Sequence, residues 1–354
     1  MLALLATNEE VDNIRKIKEV KMEIAFFELK PWEKAYLKKK LKNYSLKFFE
    51  EALSNDNVSK AKNSDIISIF IYSKISKDIL KKLPKLKIIT TRSTGFDHID
   101  LKECKKRKII ICNVPYYGEN TVAEHTFALI LSSSRNIHKS YVRTLRDNFS
   151  IEGLTGFDLK GKTIGIIGGG HIGLHVAKMA RGFGMNVLVY DINKQNFLAE
   201  VIGFSYVNLD ELLKKSDIIS LHVPYNKHTH HLINKNNIKK IKKDAILINT
   251  SRGGVVDTGA LLYALEKKIL GGAGLDVIEG EELIKEEHEL LYETGNPEKW
   301  KTIVRDHKIF HMDNVVFTPH NAFNSKEALI RILDTTIGNI ESYSNKNPVN
   351  VVNP

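Results

Sequence analysis

Residues 163–191 read TIGIIGGGHIGLHVAKMARGFGMNVLVYD: an apolar run, a glycine-punctuated turn, a helical stretch, and a second apolar run closed by an acid. This order is the dinucleotide-binding fingerprint. Gly168 gives the sharp turn out of the strand, Gly170 lets bare backbone approach a pyrophosphate, and Gly173 lets the helix lie close to the sheet. The helix N-terminus then offers free N–H groups and a positive dipole end to the phosphates. Asp191 stands at the distance where a carboxylate takes both hydroxyls of an adenosine ribose, which favours NAD over NADP. The rival at that end is a 2'-phosphate greeted by Asn193 or Lys194. A glycine-rich turn alone also serves as a tight loop; strand, turn, helix, strand and acid in sequence favour the cofactor.

Outward from this motif, composition bounds the rest. The chain of 354 residues is 42% hydrophobic and 27% charged, enough for two domains with their own cores. Its two cysteines, Cys104 and Cys112, are too few for a disulfide framework and lie outside any CxxC spacing, so no metal site is expected and a reducing cytoplasm fits. The opening MLALLATNEEVDNIRKIKEV has neither a basic n-region nor a cleavage site, and no run of 18 apolar residues follows, which speaks against export or membrane insertion. The 53 basic residues exceed the 42 acidic ones by 11, a surplus that is one signature of a nucleic-acid partner. Its lysines are scattered through helical stretches such as KAYLKKKLK and KDILKKLPKLK with no aromatic-interleaved basic stripe, so a solvated surface and no nucleic acid are expected.

From Glu23 the chain alternates short apolar runs (EIAFFEL, YSLKFF, DIISIFIY, KIITTRS, IIICNV) with amphipathic, Lys-rich stretches, which predicts a first α/β domain on a parallel sheet. Residues 1–21 precede this pattern and read as an extension, with Met22 a candidate natural start. A helical pattern runs over 121–148, and beyond Asp191 the βα rhythm resumes with DIISLHVP, AILINTS, GALLYALEKK, GGAGLDV and NVVFTPH. A last helix, from about Lys326 to Ser342, is expected to return to the first domain. The predicted division is a substrate domain of residues 22–116 and 321–354, with a nucleotide-binding domain of 117–320 between them. No repeat of solenoid period is visible.

Three ionisable residues follow strand-like runs in the second half: Arg252 in NTSRGGVVD, Glu281 in LDVIEGEE and His320 in FTPHNAF. Loops at the carboxyl ends of parallel strands line one crevice, so these can converge although distant in sequence. Reduction of a ketone by hydride leaves negative charge on oxygen, which needs a proton donor and a nearby cation, while a substrate carboxylate suits a planar bidentate donor. A carboxylate beside an imidazole orients the ring and favours its protonated form. Taken singly, each residue also reads as ordinary: a surface ion pair, a helix-start acid, a capped loop histidine.

Together with HVPYNKHTHHLINKNNI, AILINTSRGGVVDTGALLYAL, GGAGLDVIEGE and VVFTPHNAF, these residues make the chain resemble the D-isomer-specific 2-hydroxyacid dehydrogenases over residues 22–345, most of all their D-lactate dehydrogenase branch. The resemblance implies two doubly wound domains, a Rossmann NAD-binding one and a discontinuous flavodoxin-like one, with a cleft that closes on substrate. It implies that Arg252 binds the substrate carboxylate and carbonyl, that His320 donates the proton and that Glu281 partners it. It assigns NAD contacts to His171, Ile172, Asp191, Val223, Pro224, Thr229, Thr250 with Ser251, Arg252, and Asp276 near the nicotinamide. Without it, Asp276 reads equally as a strand-end carboxylate capping a turn. RSTGFDHID resembles the loop whose backbone amides take the substrate carboxylate, at Thr94 and Gly95. Tyr72 and Tyr117 match substrate-facing aromatics, though either also reads as core packing.

Phe323 matches the bulky wall of the lactate enzymes, and a pocket closed by Phe323, Tyr72 and Tyr117 is expected to suit reduction of a small 2-oxo acid such as pyruvate to the (R)-2-hydroxy acid; a cytoplasmic homodimer built around the 121–139 helix is expected. Glycerate, phosphoglycerate or a longer 2-oxo acid are the rival substrates, and an NADH-responsive co-repressor-like binding protein the rival class. The Lys- and Glu-rich stretch from Glu282 to His311 is longer than in many relatives and is expected to cover the site's edge.

Overall fold

The computed structural model describes residues 21–281 and 297–353. The chain divides into two compact units, one made of the chain up to Tyr117 with Leu329 onward, the other of Gly118–Ala328. The first division falls one residue after the expected point. The second is a correction, since residues 321–328 stay with the nucleotide-binding unit instead of opening the return. The amides of Asn321 and Ala322 donate to the Asp276 carboxylate, and the Ser325 hydroxyl lies 3.4 Å from that of Thr121, which ties the segment to that unit.

In the first unit five parallel strands, β1 (Glu23–Phe26), β2 (Ser45–Phe48), β3 (Ile66–Ile69), β4 (Ile88–Thr91) and β5 (Ile110–Cys112), stand in the order β2-β1-β3-β4-β5. This is the flavodoxin-like doubly wound order. Helices α1 (Pro31–Lys40), α2 (Lys77–Lys81) and α3 (Leu101–Lys106) connect the strands. Alternate residues feed two cores, Ile24, Phe26, Ile66 and Ile88 on one face and Ala25, Phe27, Ile67 and Ile89 on the other. Burial on both faces is why these strands read as unbroken apolar runs.

The second unit opens with α4 (Glu119–Ser134) and α5 (Ile137–Thr144). The single helix expected over 121–148 is therefore two. Asn136 turns left-handed at φ 52°, a conformation its short polar side chain tolerates, and its amide nitrogen donates to the Leu154 and Thr155 carbonyls. Seven parallel strands follow: β6 (Thr163–Ile167), β7 (Asn186–Tyr190), β8 (Ser205–Tyr206), β9 (Ile218–Leu221), β10 (Ala245–Asn249), β11 (Leu270–Leu275) and β12 (Val315–Phe317). Their order is β12-β11-β10-β9-β6-β7-β8, which reverses direction at β6, as in a Rossmann sheet. Helices α6 (His171–Gly182), α7 (Asn196–Ile202), α8 (Leu209–Lys215), α9 (Thr258–Glu266) and α10 (Pro297–Phe310) accompany them. Again the strands alternate between two cores: Ile219, Leu221, Ala245 and Leu247 in one, Ile164, Ile166, Ile218, Ile246 and Ile248 in the other. The last helix, α11 (Lys326–Ser344), begins in the second unit and continues into the first, two residues longer than expected.

The proposed extension, apart from Lys21, and residues 282–296 of the Glu282–His311 stretch lie outside the described residues. No helix among the described residues is long and apolar enough to cross a membrane.

Candidate active site

Every residue singled out in the second unit before Phe323 follows a strand at the carboxyl edge of its sheet or opens α6. At the end of β6, Gly168 adopts φ +101°, and a side chain there would meet the His222 carbonyl at 2.6 Å. A Cβ on Gly173 would stand 1.9 Å from the Gly168 carbonyl oxygen, so only glycine lets α6 fold back against the turn. Gly170, which precedes α6, is extended, and nothing lies within 4 Å of where its side chain would be. No side chain caps the N-terminus of α6. An open glycine facing uncapped helical amides fits a pyrophosphate. Asp191, after β7, accepts from the Gly169 amide at 2.6 Å and from the Asn193 amide at 2.7 Å, which locks the acid to the glycine turn.

Among the other expected cofactor contacts, the Thr229 hydroxyl donates to the Pro224 carbonyl at 2.6 Å and accepts from the Asn226 amide, building the turn after Val223. Thr250 pairs its hydroxyl with that of Thr126 at 3.0 Å. His171 and Ile172 form the first turn of α6.

Arg252 stands in a loop fixed by the buried Asn249 at the end of β10. The Asn249 side-chain oxygen accepts from the Ser251 amide and hydroxyl at 3.0 and 2.8 Å, while its nitrogen donates to the Arg252 carbonyl. The Arg252 guanidinium donates to the Ser251 carbonyl at 2.9 Å. Gly253 then passes so close to the next loop that a Cβ would lie 2.1 Å from the Ile278 carbonyl carbon. That second loop carries Glu281. The Glu281 carboxylate accepts from His320 Nδ1 at 2.6 Å, with both side chains partly buried. His320 itself adopts φ 53°, and its amide donates to the carbonyls of Asp276 and Thr318 at 2.9 Å. A left-handed histidine costs on the order of 1–3 kcal/mol and persists only where its surroundings impose it.

Asp276 is the support for that loop. Its Oδ1 accepts from the Thr318 hydroxyl at 2.5 Å and the Asn321 amide at 3.0 Å, and its Oδ2 from the Ala322 amide at 2.9 Å. His125 Nε2 stands 3.4 Å from the same carboxylate. Burial opposes ionisation of Asp276, yet the hydrogen bonds from His125, Thr318, Ala322 and Asn321 prevail and hold its carboxyl below the usual carboxylate range. These contacts are those of a strand-end acid capping the turn after β12. Phe323 follows within the same tight turn, where the Ser325 amide donates to its carbonyl.

The first unit holds the remaining candidates. The buried Arg92 guanidinium donates to the Phe27 and Glu28 carbonyls at 2.7 and 2.9 Å. Glu28, left-handed at φ 57°, accepts from the amides of Phe70 and Tyr72 and from the Ser73 hydroxyl. Tyr72 is thereby held by its backbone while its side chain is exposed. The Thr94 hydroxyl donates to the Val114 carbonyl and the Thr94 carbonyl accepts from Asn113, but the amides of Thr94 and Gly95 find no acceptor among the described residues. Unspent, accessible amide donors suit an anion. Tyr117 accepts from Arg331 Nε through its carbonyl at 2.7 Å.

Sequence reasoning passed over Asn249, His125, Thr318 and His222. The Ser220 hydroxyl lies 2.8 Å from His222 Nε2, Nδ1 is buried without a partner among the described residues, and burial pushes the ring's pKa down to about 3. It is therefore a neutral wall beside the glycine turn. A polar residue at the end of an apolar strand was the one available signal for Asn249 and His222.

Known proteins resemble this chain over most of its length. Residues 127–322 match the model of the D-isomer-specific 2-hydroxyacid dehydrogenase NAD-binding domain. A 2-hydroxyacid dehydrogenase homolog of Haemophilus influenzae is 38% identical over 326 residues, covering 90% of this chain and 95% of that one. The D-lactate dehydrogenase of Escherichia coli is 34% identical over 328 residues, 91% of this chain and 96% of that one. The crystal structure of D-lactate dehydrogenase from Aquifex aeolicus, complexed with NAD and lactic acid, superposes with a TM-score of 0.85 at 38% identity, covering 94% of this chain and 99% of that one. The chain belongs to the D-isomer-specific 2-hydroxyacid dehydrogenases, NAD-dependent oxidoreductases, and carries that family's NAD-binding domain.

Proposed function

We propose that this enzyme reduces a small 2-oxo acid, pyruvate foremost, to the (R)-2-hydroxy acid with NADH, and runs the reverse reaction with NAD. The observation that carries the reading is the Glu281–His320 pair at 2.6 Å on one side of the loop that Gly253 brings in with Arg252. NADH, when bound, supplies the hydride that reduces the keto carbon. His320 gives its Nε2 proton to the carbonyl oxygen, and Glu281 holds and orients the ring through Nδ1. Arg252 neutralises the charge growing on that oxygen and takes the substrate carboxylate. Glu281 and Arg252 therefore divide orientation of the acid and of the substrate between two loops.

In the same proposal the amides of Thr94 and Gly95 bind carboxylate, while Tyr72, Tyr117 and Phe323 limit the side chain. The glycine turn from Gly168 to Gly173 with His171 and Ile172 takes the pyrophosphate, and Asp191 takes the ribose diol and disfavours NADPH. Val223, Pro224, Thr229, Thr250, Ser251 and Asp276 complete the cofactor contacts. Two free, buried cysteines accord with the cytoplasm.

The test is a panel of 2-oxo acids, assayed with NADH and NADPH and followed by chiral analysis of product. The reading predicts the highest kcat/KM with pyruvate, NADH strongly preferred, and the (R) isomer. Highest efficiency with glyoxylate, hydroxypyruvate or a branched 2-oxo acid would move the substrate within the family, and inactivity on all of them would contradict the reading.

A further inference from the structure

His230, His231 and Glu279 bring one imidazole nitrogen each and one carboxylate oxygen within 4.8 Å of one another, with Glu279 two residues before Glu281 on the loop after β11 and none of the three given a role in the reaction. Consecutive side chains of an extended chain point to opposite sides. Here His231 is left-handed at φ 48°, so the two rings lie on the same side, stacked with centroids 3.8 Å apart and planes 23° from parallel. Several bonds impose that turn: the His231 amide donates to the Gly254 carbonyl, its carbonyl accepts from Asn234, and Ile233 pairs with Val256. The Tyr225 hydroxyl lies 3.0 Å from His230 Nδ1 and fixes that ring. His231 Nε2 meets Glu279 Oε1 at 2.8 Å, and the Thr258 hydroxyl reaches the other oxygen at 3.5 Å.

We infer that these three side chains form a site for a divalent first-row transition metal, Zn2+ best, that fastens the 225–234 loop to the loop after β11. Two imidazoles and one carboxylate favour zinc over magnesium or calcium, which prefer all-oxygen sets. Bonds of about 2.1 Å in a tetrahedron separate ligand atoms by about 3.4 Å, so small side-chain rotations close the present cluster around an ion. The ion takes the place of the His231–Glu279 contact, and a fourth position is left for water. Oriented imidazoles with a hydroxyl partner are the second layer such sites need. The two cysteines do not compete, since burial pushes both thiols up to about 12. Cysteine spacing gives no sign of this site, since the cluster holds no cysteine. The inference stands independently of the reaction assigned to the enzyme.

Its test is calorimetric titration of the metal-stripped full chain with ZnCl2, with CoCl2 as a spectroscopic substitute. The expected result is one ion per chain, a rise in melting temperature on loading, and a visible Co2+ spectrum of low coordination number. His230→Ala, at an exposed position, and Glu279→Gln are expected to weaken binding about tenfold or more each, with Tyr225→Phe weakening it less. Melting curves without metal separate lost ligation from lost folding. Absence of stoichiometric binding to the wild type would overturn the site. Wild-type affinity in both His230→Ala and Glu279→Gln would place the ion elsewhere and overturn it equally.

Discussion

Gly253 shows how much of the candidate site rests on a residue with no chemistry of its own. Its missing side chain lets the backbone after Arg252 lie against the Ile278 carbonyl, two loops that would otherwise part. Both partners of that contact are backbone, so neither can rotate away. Gly253→Ala is expected to cost about 1–3 kcal/mol of stability through overpacking. It should also lower kcat/KM about 10²-fold by displacing Arg252 relative to Glu281, with NADH affinity little changed. Steady-state kinetics beside thermal unfolding check this, and unaltered kinetics in a folded variant would dismiss the contact as irrelevant. At this scale the sequence was half legible. Arg252, Glu281 and His320 stood out as ionisable residues after apolar runs, and Asp191 by its distance from the glycine turn. The bond of Asp191 to Gly169, the Asp276 support of the His320 loop and the left-handed His320 could not be read, because each depends on where a chain segment some 20 to 45 residues away comes to lie.

Among the elements, parallel strands were the most legible, since a strand covered on both faces must be apolar at successive positions. The break between α4 and α5 was not, because the apolar spacing runs through it and only Asn136 in a polar run marks the turn. Helix α10 carries a different surprise. Asp306 is buried, with Oδ1 3.3 Å from Arg305 Nε and Oδ2 without a partner among the described residues. Burial, helped by the Glu279 charge and opposed by Arg305, pushes its pKa up to about 6. A carboxyl raised above its unfolded value binds a proton more tightly in the native state, so its contribution is fully present below about pH 4 and is lost as pH rises through 6. Asp306→Asn should therefore stabilise the protein at pH 7.5 by about 1–3 kcal/mol and give no such gain at pH 4. Melting temperatures at the two pH values decide it; a gain that is equal at both, or a loss at pH 7.5, would show that burial does not raise the Asp306 pKa.

For the molecule as a whole, two α/β units followed from the order of elements, and the discontinuity of the first from a last helix that outlasts the final strand. The return point was placed eight residues too early because the ties that keep 321–328 in the second unit are hydrogen bonds to Asp276 and Thr121. The sequence led to an expected homodimer built around the 121–139 helix; we propose instead that it forms on α5 with the chain after it, where Ile137, Tyr141, Leu145, Phe149 and Ile151 are all more than half exposed, whereas α4 is largely buried within its unit. Apolar residues left uncovered at this density favour association. Sedimentation equilibrium should give twice the 40.2 kDa of the chain, and Leu145→Glu with Phe149→Glu should return it to a single chain. A monomeric wild type would remove the dimer from the proposal.

The account turns on His320 as the proton donor of an NADH-dependent reduction. The most direct measurement is turnover of pyruvate by the wild type and His320→Ala, beside a fluorescence titration of each with NADH. The expected result is a loss of about 10²–10⁴-fold in kcat with NADH affinity preserved. Turnover retained in His320→Ala would contradict it.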